Sequence, residues 1–260
     1  MLDKKVALIT GSTSGIGLAT AHVLAKHGVN LVIHGLLSDQ EGQALAIEFE
    51  QTYKVNTHFS NANLKEPTEI SSLVTDAVNV FGGIDILINN AGIQHTERTE
   101  TFPTEKWNDI LAINLSAAFH LIQQTLPHMT QNRWGRIINI ASVHGLVASK
   151  NKSAYCAAKH GIIGLTKVVA LENAENGITA NSICPGWVDT PLINKQIEDI
   201  ANQQGLPFEE ARYALVTEKQ PLPEMAIPQQ IGEFIRFLCS DAAKAITGSS
   251  LPMDGAWTAQ

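Results

Sequence analysis

Val6-Ala7-Leu8-Ile9-Thr10-Gly11-Ser12-Thr13-Ser14-Gly15-Ile16-Gly17 is the stretch whose reading decides the fold. Val6 to Thr10 has the apolar, β-branched character of a buried strand, and helical periodicity follows over residues 15 to 27. The glycines between them permit a tight turn and close approach of a pyrophosphate. The helix N-terminus adds free N–H groups and the positive end of a dipole. Two other glycine-rich turns fail on their own rules. A P-loop needs lysine followed by serine or threonine after its last glycine, and here Leu18 follows Gly17. A nucleophile elbow needs serine midway between two glycines, and the middle residue between Gly11 and Gly15 is Thr13. The turn points to a dinucleotide.

Further apolar runs occur at Asn30–His34, Asn56–Ser60, Asp85–Asn89, Arg136–Ile140, Ile178–Ile183 and Ser249–Met253. Helical patterns separate them at about 39–52, 66–81, 105–131 and 153–175, the last stopping at Gly177, a natural C-cap. Strands apolar on both faces and separated by helices predict a mostly parallel sheet covered on both sides, a doubly wound, Rossmann-type α/β fold. No linker, charge block or repeat divides the chain, so residues 1–260 read as a single domain. Ligands bind such sheets at the carboxyl ends of the strands. Gly11–Gly17, Asn89–Gly92, Ser142 and Pro185-Gly186 each follow a strand and should converge on one edge.

Composition narrows the function. The chain has 260 residues, 44% hydrophobic and 17% charged, with a formal charge of −7. It lacks the basic face that nucleic acid or an anionic membrane would require. Cys156, Cys184 and Cys239 are widely spaced with no C-x-x-C, which argues against disulfides and zinc. Cys156 and His160 are four apart, but two ligands do not make a metal site, and none is expected. Met1 to Lys5 runs straight into a strand without the apolar stretch and small-residue cleavage site of a signal peptide. No run approaches the length of a membrane span, and a cytoplasmic location is the simplest expectation.

Tyr155 and Lys159 sit at i and i+4, so on a helix they share a face, thirteen residues and more beyond Ser142. A free phenol titrates at about 10, too high for a base at neutral pH. A cation beside it favours the phenolate and predicts a depressed Tyr155 pKa. After the second strand, Gly35-Leu36-Leu37-Ser38-Asp39-Gln40-Glu41 holds acids and no base. A ribose 2′-phosphate placed there would find carboxylates instead of a cation, so NAD is expected over NADP.

These residues resemble the short-chain dehydrogenase/reductase family over nearly the whole chain. The likeness rests on Thr10-Gly11-x-x-x-Gly15-Ile16-Gly17, Asn89-Asn90-Ala91-Gly92, Asn114, Ser142, Tyr155-x-x-x-Lys159, and Pro185-Gly186 with Thr190. It implies that Tyr155 is the general acid/base and that Lys159 tunes it and holds the nicotinamide ribose. Ser142 would bond the reacting oxygen, and Asn114 would position a water that relays the proton. The cofactor would lie along Gly11, Thr13, Ser14, Gly15, Ile16 and Gly17, then Leu36, Asn63 and Leu64. On the far side it would meet Asn90, Ala91 and Gly92, Tyr155 and Lys159, then Pro185, Gly186, Val188 and Thr190. Two positions depart from the family pattern: Asn63 replaces the usual aspartate after the third strand, and Leu36 replaces the acid ending the second.

Gln94, His144, Lys152 and Gln196 lie beside the motif residues, and a lysine, an imidazole and two amides suit a small carboxylate. Trp187 and Trp257 are candidate walls of an apolar pocket, with Ser142 and Tyr155 at the reacting end. The surroundings of Gln94, His144 and Lys152 resemble the branch of the family that oxidises D-3-hydroxybutyrate, which implies a small hydroxy-acid substrate. Residues 190–225, rich in polar helix formers and ended by Pro221 and Pro223, would form a mobile substrate lid. The helices at 105–131 and 153–175 resemble the family's pairing helices, implying a homotetramer. Oxidation of a sugar or polyol, or a dinucleotide sensor without catalysis, are the competing readings.

Overall fold

The computed structural model describes residues 2–259. Seven parallel strands form one sheet in the order β3-β2-β1-β4-β5-β6-β7. They are β1 (Val6–Ile9), β2 (Asn30–His34), β3 (Thr57–Ser60), β4 (Ile86–Asn89), β5 (Gly135–Ile140), β6 (Ile178–Pro185) and β7 (Ser250–Met253). The first crossovers are α1 (Gly15–Ala25), α2 (Asp39–Tyr53) and α3 (Pro67–Phe81). After β4 come α4 (Thr104–Leu111), a π-helical turn (Ala112–Ser116) and α5 (Ala117–Asn132), and after β5 comes α6 (Ser153–Asn173). Then follow α7 (Pro191–Gln204), α8 (Phe208–Thr217) and α9 (Pro228–Cys239).

Each sheet face buries its own core. Ala7, Ile9, Leu31 and Ile33 pack with Leu24 of α1, Phe49 of α2 and Ile235 of α9. Leu8, Val32 and Leu87 face the other way, against Leu73 of α3, Leu121 of α5 and Val169 of α6. Strands buried on both faces must be apolar throughout, which is why these runs are legible. Beyond β6, α7 and α8 pack on a separate small cluster of Ile197, Ala201, Ala211, Val216 and Met225.

Two elements differ from expectation. The helix expected over 105–131 is broken at Ala112–Ser116, where the N–H of Ala117 reaches back to the Ala112 carbonyl. That wider turn inserts a residue and re-aims Asn114. A further helix, α9, was not anticipated, although Pro228 at its start and Ile231, Ile235 and Leu238 at helical spacing carry the signal. Gly232 lets α9 lie against α1, since a β-carbon there would sit 3.1 Å from Val23.

Candidate active site

The sheet order reverses between β1 and β4, and the loops that leave those strands are stitched together. Thr10 Oγ1 accepts the N–H groups of Asn90 and Ala91, each at 3.0 Å. The Asn90 amide donates to the carbonyls of Thr10 (2.9 Å) and Gly11 (3.1 Å). Gly11 and Gly15 have φ of +63° and +52°, where a β-carbon would be strained. At Gly17 a β-carbon would run into the Gly11 carbonyl and the Asn90 amide.

This turn forms one wall of a cleft of about 500 Å³. Thr13, Ser14, Gly15, Ile16, Leu36, Asn63 and Leu64 line it with Gly11, and Asn90, Ala91, Gly92, Tyr155 and Lys159 lie across from them. Pro185, Gly186, Val188 and Thr190 complete the far end. Of the expected cofactor residues only Gly17 does not reach the cleft, because it packs beneath the turn. A glycine cradle at a helix N-terminus, opening into an elongated cleft, fits a nicotinamide dinucleotide.

The acids expected near the ribose do not line this cleft. Glu41 is committed to the N-cap of α2, accepting from Ser38 N at 3.0 Å and Ser38 Oγ at 2.6 Å. Asp39 accepts from Asn61 Nδ2 at 2.9 Å. The expectation of NAD over NADP therefore rests on missing cations: among the described residues Lys159 is the only lysine or arginine lining the cleft.

A second cavity of about 270 Å³ joins the cleft at Ser142 and Tyr155. Gln94, His144, Lys152, Trp187, Gln196 and Trp257 all line it, so every residue proposed for the substrate meets in one place. The Trp257 ring stands 5.6 Å from His144 and 5.7 Å from Trp187, making a continuous aromatic wall. The His144 Nε2 lies 2.9 Å from Ser149 Oγ, and its Nδ1 lies 3.4 Å from Ser142 Oγ. Burial, reinforced by the charges of Lys152 and His160, pushes its pKa down to about 4, so the ring is neutral at physiological pH. Burial also lowers the Lys152 ammonium.

The proton-handling pair does not behave as spacing suggested. Burial raises the Tyr155 phenol, and a hydrogen bond from Ser142 only partly draws it back. Lys159 does not supply the expected depression. Its Nζ donates to the Ile140 carbonyl at 2.6 Å and lies 5.6 Å from the Tyr155 ring centre. Asn114, delivered by the π turn, clasps the backbone of Ile93: Oδ1 accepts its N–H and Nδ2 donates to its carbonyl, both at 2.9 Å. Asn114 and Lys159 also share a buried cavity of about 10 Å³ behind the cleft, about the room one water needs.

A family model for short chain dehydrogenases matches residues 5–201. The chain belongs to the short-chain dehydrogenase family. This dehydrogenase is 50% identical, over the full length of both chains, to D-beta-hydroxybutyrate dehydrogenase of Cupriavidus necator. It is 48% identical to the enzyme of that name from Rhizobium meliloti, over 98% of this chain and 99% of that one. The structure of L-sorbose reductase from Gluconobacter frateurii, solved with NADPH and L-sorbose, superposes with a TM-score of 0.93 at 30% identity, covering 98% and 96% of the two chains.

The sequence reading missed several residues of this dehydrogenase's cavities. Ile193, Lys195 and Asp199 join Gln196 on α7 beside the smaller cavity, where two successive turns of helix bring them together. His34, Ile93, Ile113 and Ile140 line the larger cleft. The isoleucines carry no sequence mark that separates a cleft wall from a core.

Lys159 makes a measurable signature. Burial pushes its pKa from 10.5 down to about 8. Between those values the unfolded chain holds a proton that the folded chain has shed, so stability rises with pH across that window. The cost of burying the ammonium is fully present below about pH 8 and lapses above it. Melting temperatures measured from about pH 8 to about pH 10.5 should climb more steeply in the wild type than in Lys159→Met. Parallel slopes would show that burial of this ammonium is not the cause.

Proposed function

We propose that the chain is an NAD-dependent dehydrogenase that reversibly oxidises D-3-hydroxybutyrate to acetoacetate. The observation that carries this reading is the substrate cavity itself. It brings Ser142 and Tyr155 together with Lys152, Gln94, His144 and Gln196, and Trp187 and Trp257 form part of its wall. Those polar groups suit a carboxylate, and the aromatic wall suits a short alkyl chain. The two relatives that match this chain at 48% and 50% identity carry the matching name. NAD is favoured because no lysine or arginine near Leu36 lines the cleft to hold a 2′-phosphate.

Gly11, Thr13 to Ile16, Asn90, Lys159 and Thr190 would hold NAD, which would supply the hydride acceptor for the carbinol carbon. Tyr155, once it has shed its own proton to become the phenolate, takes the hydroxyl proton as the oxygen becomes a carbonyl, and Ser142 donates a hydrogen bond to that oxygen. Burial favours the neutral phenol, so in the reverse direction Tyr155 is well prepared to return the proton. Asn114 holds Ile93 at the cleft wall, and the cavity it shares with Lys159 offers the proton a route through one water. Lys152 pairs with the substrate carboxylate, whose charge would restore the proton affinity that burial takes from it.

Residues 190–225 act as the lid in this reading. They carry Ile193, Lys195, Gln196 and Asp199 over the cavity. Their two ends meet where Asp189 N donates to Ala226 O and Ala226 N to Trp187 O. Self-association into a homotetramer is part of the same proposal. It is supported by an apolar groove between α5 and α6 lined by Phe119, Leu126, Leu165 and Val168. Phe119, Val168 and Leu171 are 46%, 50% and 84% exposed beside it, more apolar surface than a lone chain usually leaves bare. Residence in the cytoplasm completes the proposal, supported by three unpaired cysteines and by the lack of any described helix long and apolar enough to cross a membrane.

Three outcomes test it. Tyr155→Phe should abolish NADH formation from D-3-hydroxybutyrate while NADH binding, followed by fluorescence, stays within about twofold. Normal turnover in that variant would remove Tyr155 from the chemistry. Lys152→Ala should lower kcat/KM on 3-hydroxybutyrate at least about tenfold more than on an uncharged secondary alcohol. Equal losses on both substrates would sink the carboxylate assignment. Light scattering should give four chains per particle, and a monomer mass would contradict the pairing of α5 and α6.

A further inference from the structure

His34, at the end of β2, sits where the dinucleotide turn, β2 and the loop after β3 meet. It is only 3% exposed, yet it lines the cofactor cleft. Gly11 N donates to its Nδ1 at 3.1 Å, and its Nε2 lies 2.9 Å from the Ala62 carbonyl. Its main chain is tied to the same turn: His34 N donates to Ser12 Oγ at 2.9 Å, and Ser12 N donates to the His34 carbonyl at 2.8 Å.

The partners fix the state of the ring. A backbone N–H can only donate and a carbonyl can only accept, so Nδ1 must be bare and Nε2 must carry the proton. The ring is therefore neutral and in a single tautomer. Gly11 is the residue at φ +63° that starts the turn, and His34 supplies its N–H with an acceptor inside the protein. The partners around His34 (Gly11, Ser12, Ala62) carry no charge, so hydrogen bonding rather than ion pairing holds it.

We propose that His34 is a positioning residue for the cofactor: by accepting from Gly11 and donating to Ala62, it sets the spacing between the glycine turn and the loop after β3. Gly11 borders the space for the pyrophosphate, and Ala62, Asn63 and Leu64 border the space beyond it. His34 touches neither the reacting atoms nor the substrate cavity. Its influence should fall on the affinity for the adenosine diphosphate half and leave the nicotinamide end alone.

The inference rests on the dinucleotide reading above, and the experiment separates the two. Dissociation constants for NADH, NADPH and ADP-ribose are measured by fluorescence titration on the purified protein. Three proteins are compared: wild type, His34→Leu and His34→Asn. If wild type binds none of the three, the dinucleotide reading itself fails, and with it the basis for His34. If it binds, His34→Leu keeps bulk and loses the acceptor, and should weaken both the preferred nucleotide and ADP-ribose about tenfold, or about 1.4 kcal/mol. His34→Asn places an amide oxygen where Nδ1 stood and should stay within about threefold of wild type. A role in packing alone predicts the opposite ranking, with leucine tolerated and asparagine not, and that result overturns the proposal. So does an effect on NADH that ADP-ribose does not share. Should His34→Leu fail to fold, the asparagine variant still decides, together with nitrogen NMR of the wild-type ring. A protonated Nδ1 or loss of affinity in His34→Asn would refute it.

Discussion

The cleft depends on how the chain handles two backbone carbonyls at the point where the strand order reverses. Leaving β1, the chain turns to the face that holds α1, and leaving β4 it passes to the face that holds α5. The carbonyls of Thr10 and Gly11 sit between these paths and would lack partners without the Asn90 amide, which donates to both. The N–H groups of Gly11 and Ser12 are likewise held inside, by the Nδ1 and the carbonyl of His34. Thr10 Oγ1 closes the joint from the other side. Because β5 and β6 continue the same sheet, Ser142 and Pro185 inherit their distance from the turn through regular strand spacing.

Around that frame, desolvation outweighs local charge. Burial is the largest influence on Tyr155, Lys159, His144 and Lys152, and in each it favours the neutral form. A site prepared in this way has little water to reorganise when charge develops. Ions brought in by ligands then act at short range and in low dielectric, where they count for most.

Much of this was legible in the chain. Parallel strands buried on both faces leave unbroken apolar runs, and all seven begin within one residue of the position their sequence predicts. Ser142, His144, Lys152 and Tyr155 stood out in the chain because each follows a strand or opens a helix at the same sheet edge. The π turn at Ala112–Ser116 was not, since an extra residue in a helical turn has no composition of its own. The direction of the Tyr155 shift was not either, because spacing reveals a neighbour but not how completely water is excluded. His34 was hidden for a third reason: its partners are main-chain groups 23 and 28 residues away, which any sequence could supply.

The clasp between Trp187, Asp189 and Ala226 carries a consequence for descent. The segment it encloses leaves the sheet and returns to almost the same point, and its helices rest on an apolar cluster of their own. Such a segment can lengthen, shorten or change sequence without altering strand register or the glycine turn. Dehydrogenases built this way can acquire a new substrate by revising one excursion of the chain while inheriting the redox machinery intact. Lineages diverging from a common ancestor would then be expected to accumulate their differences here first.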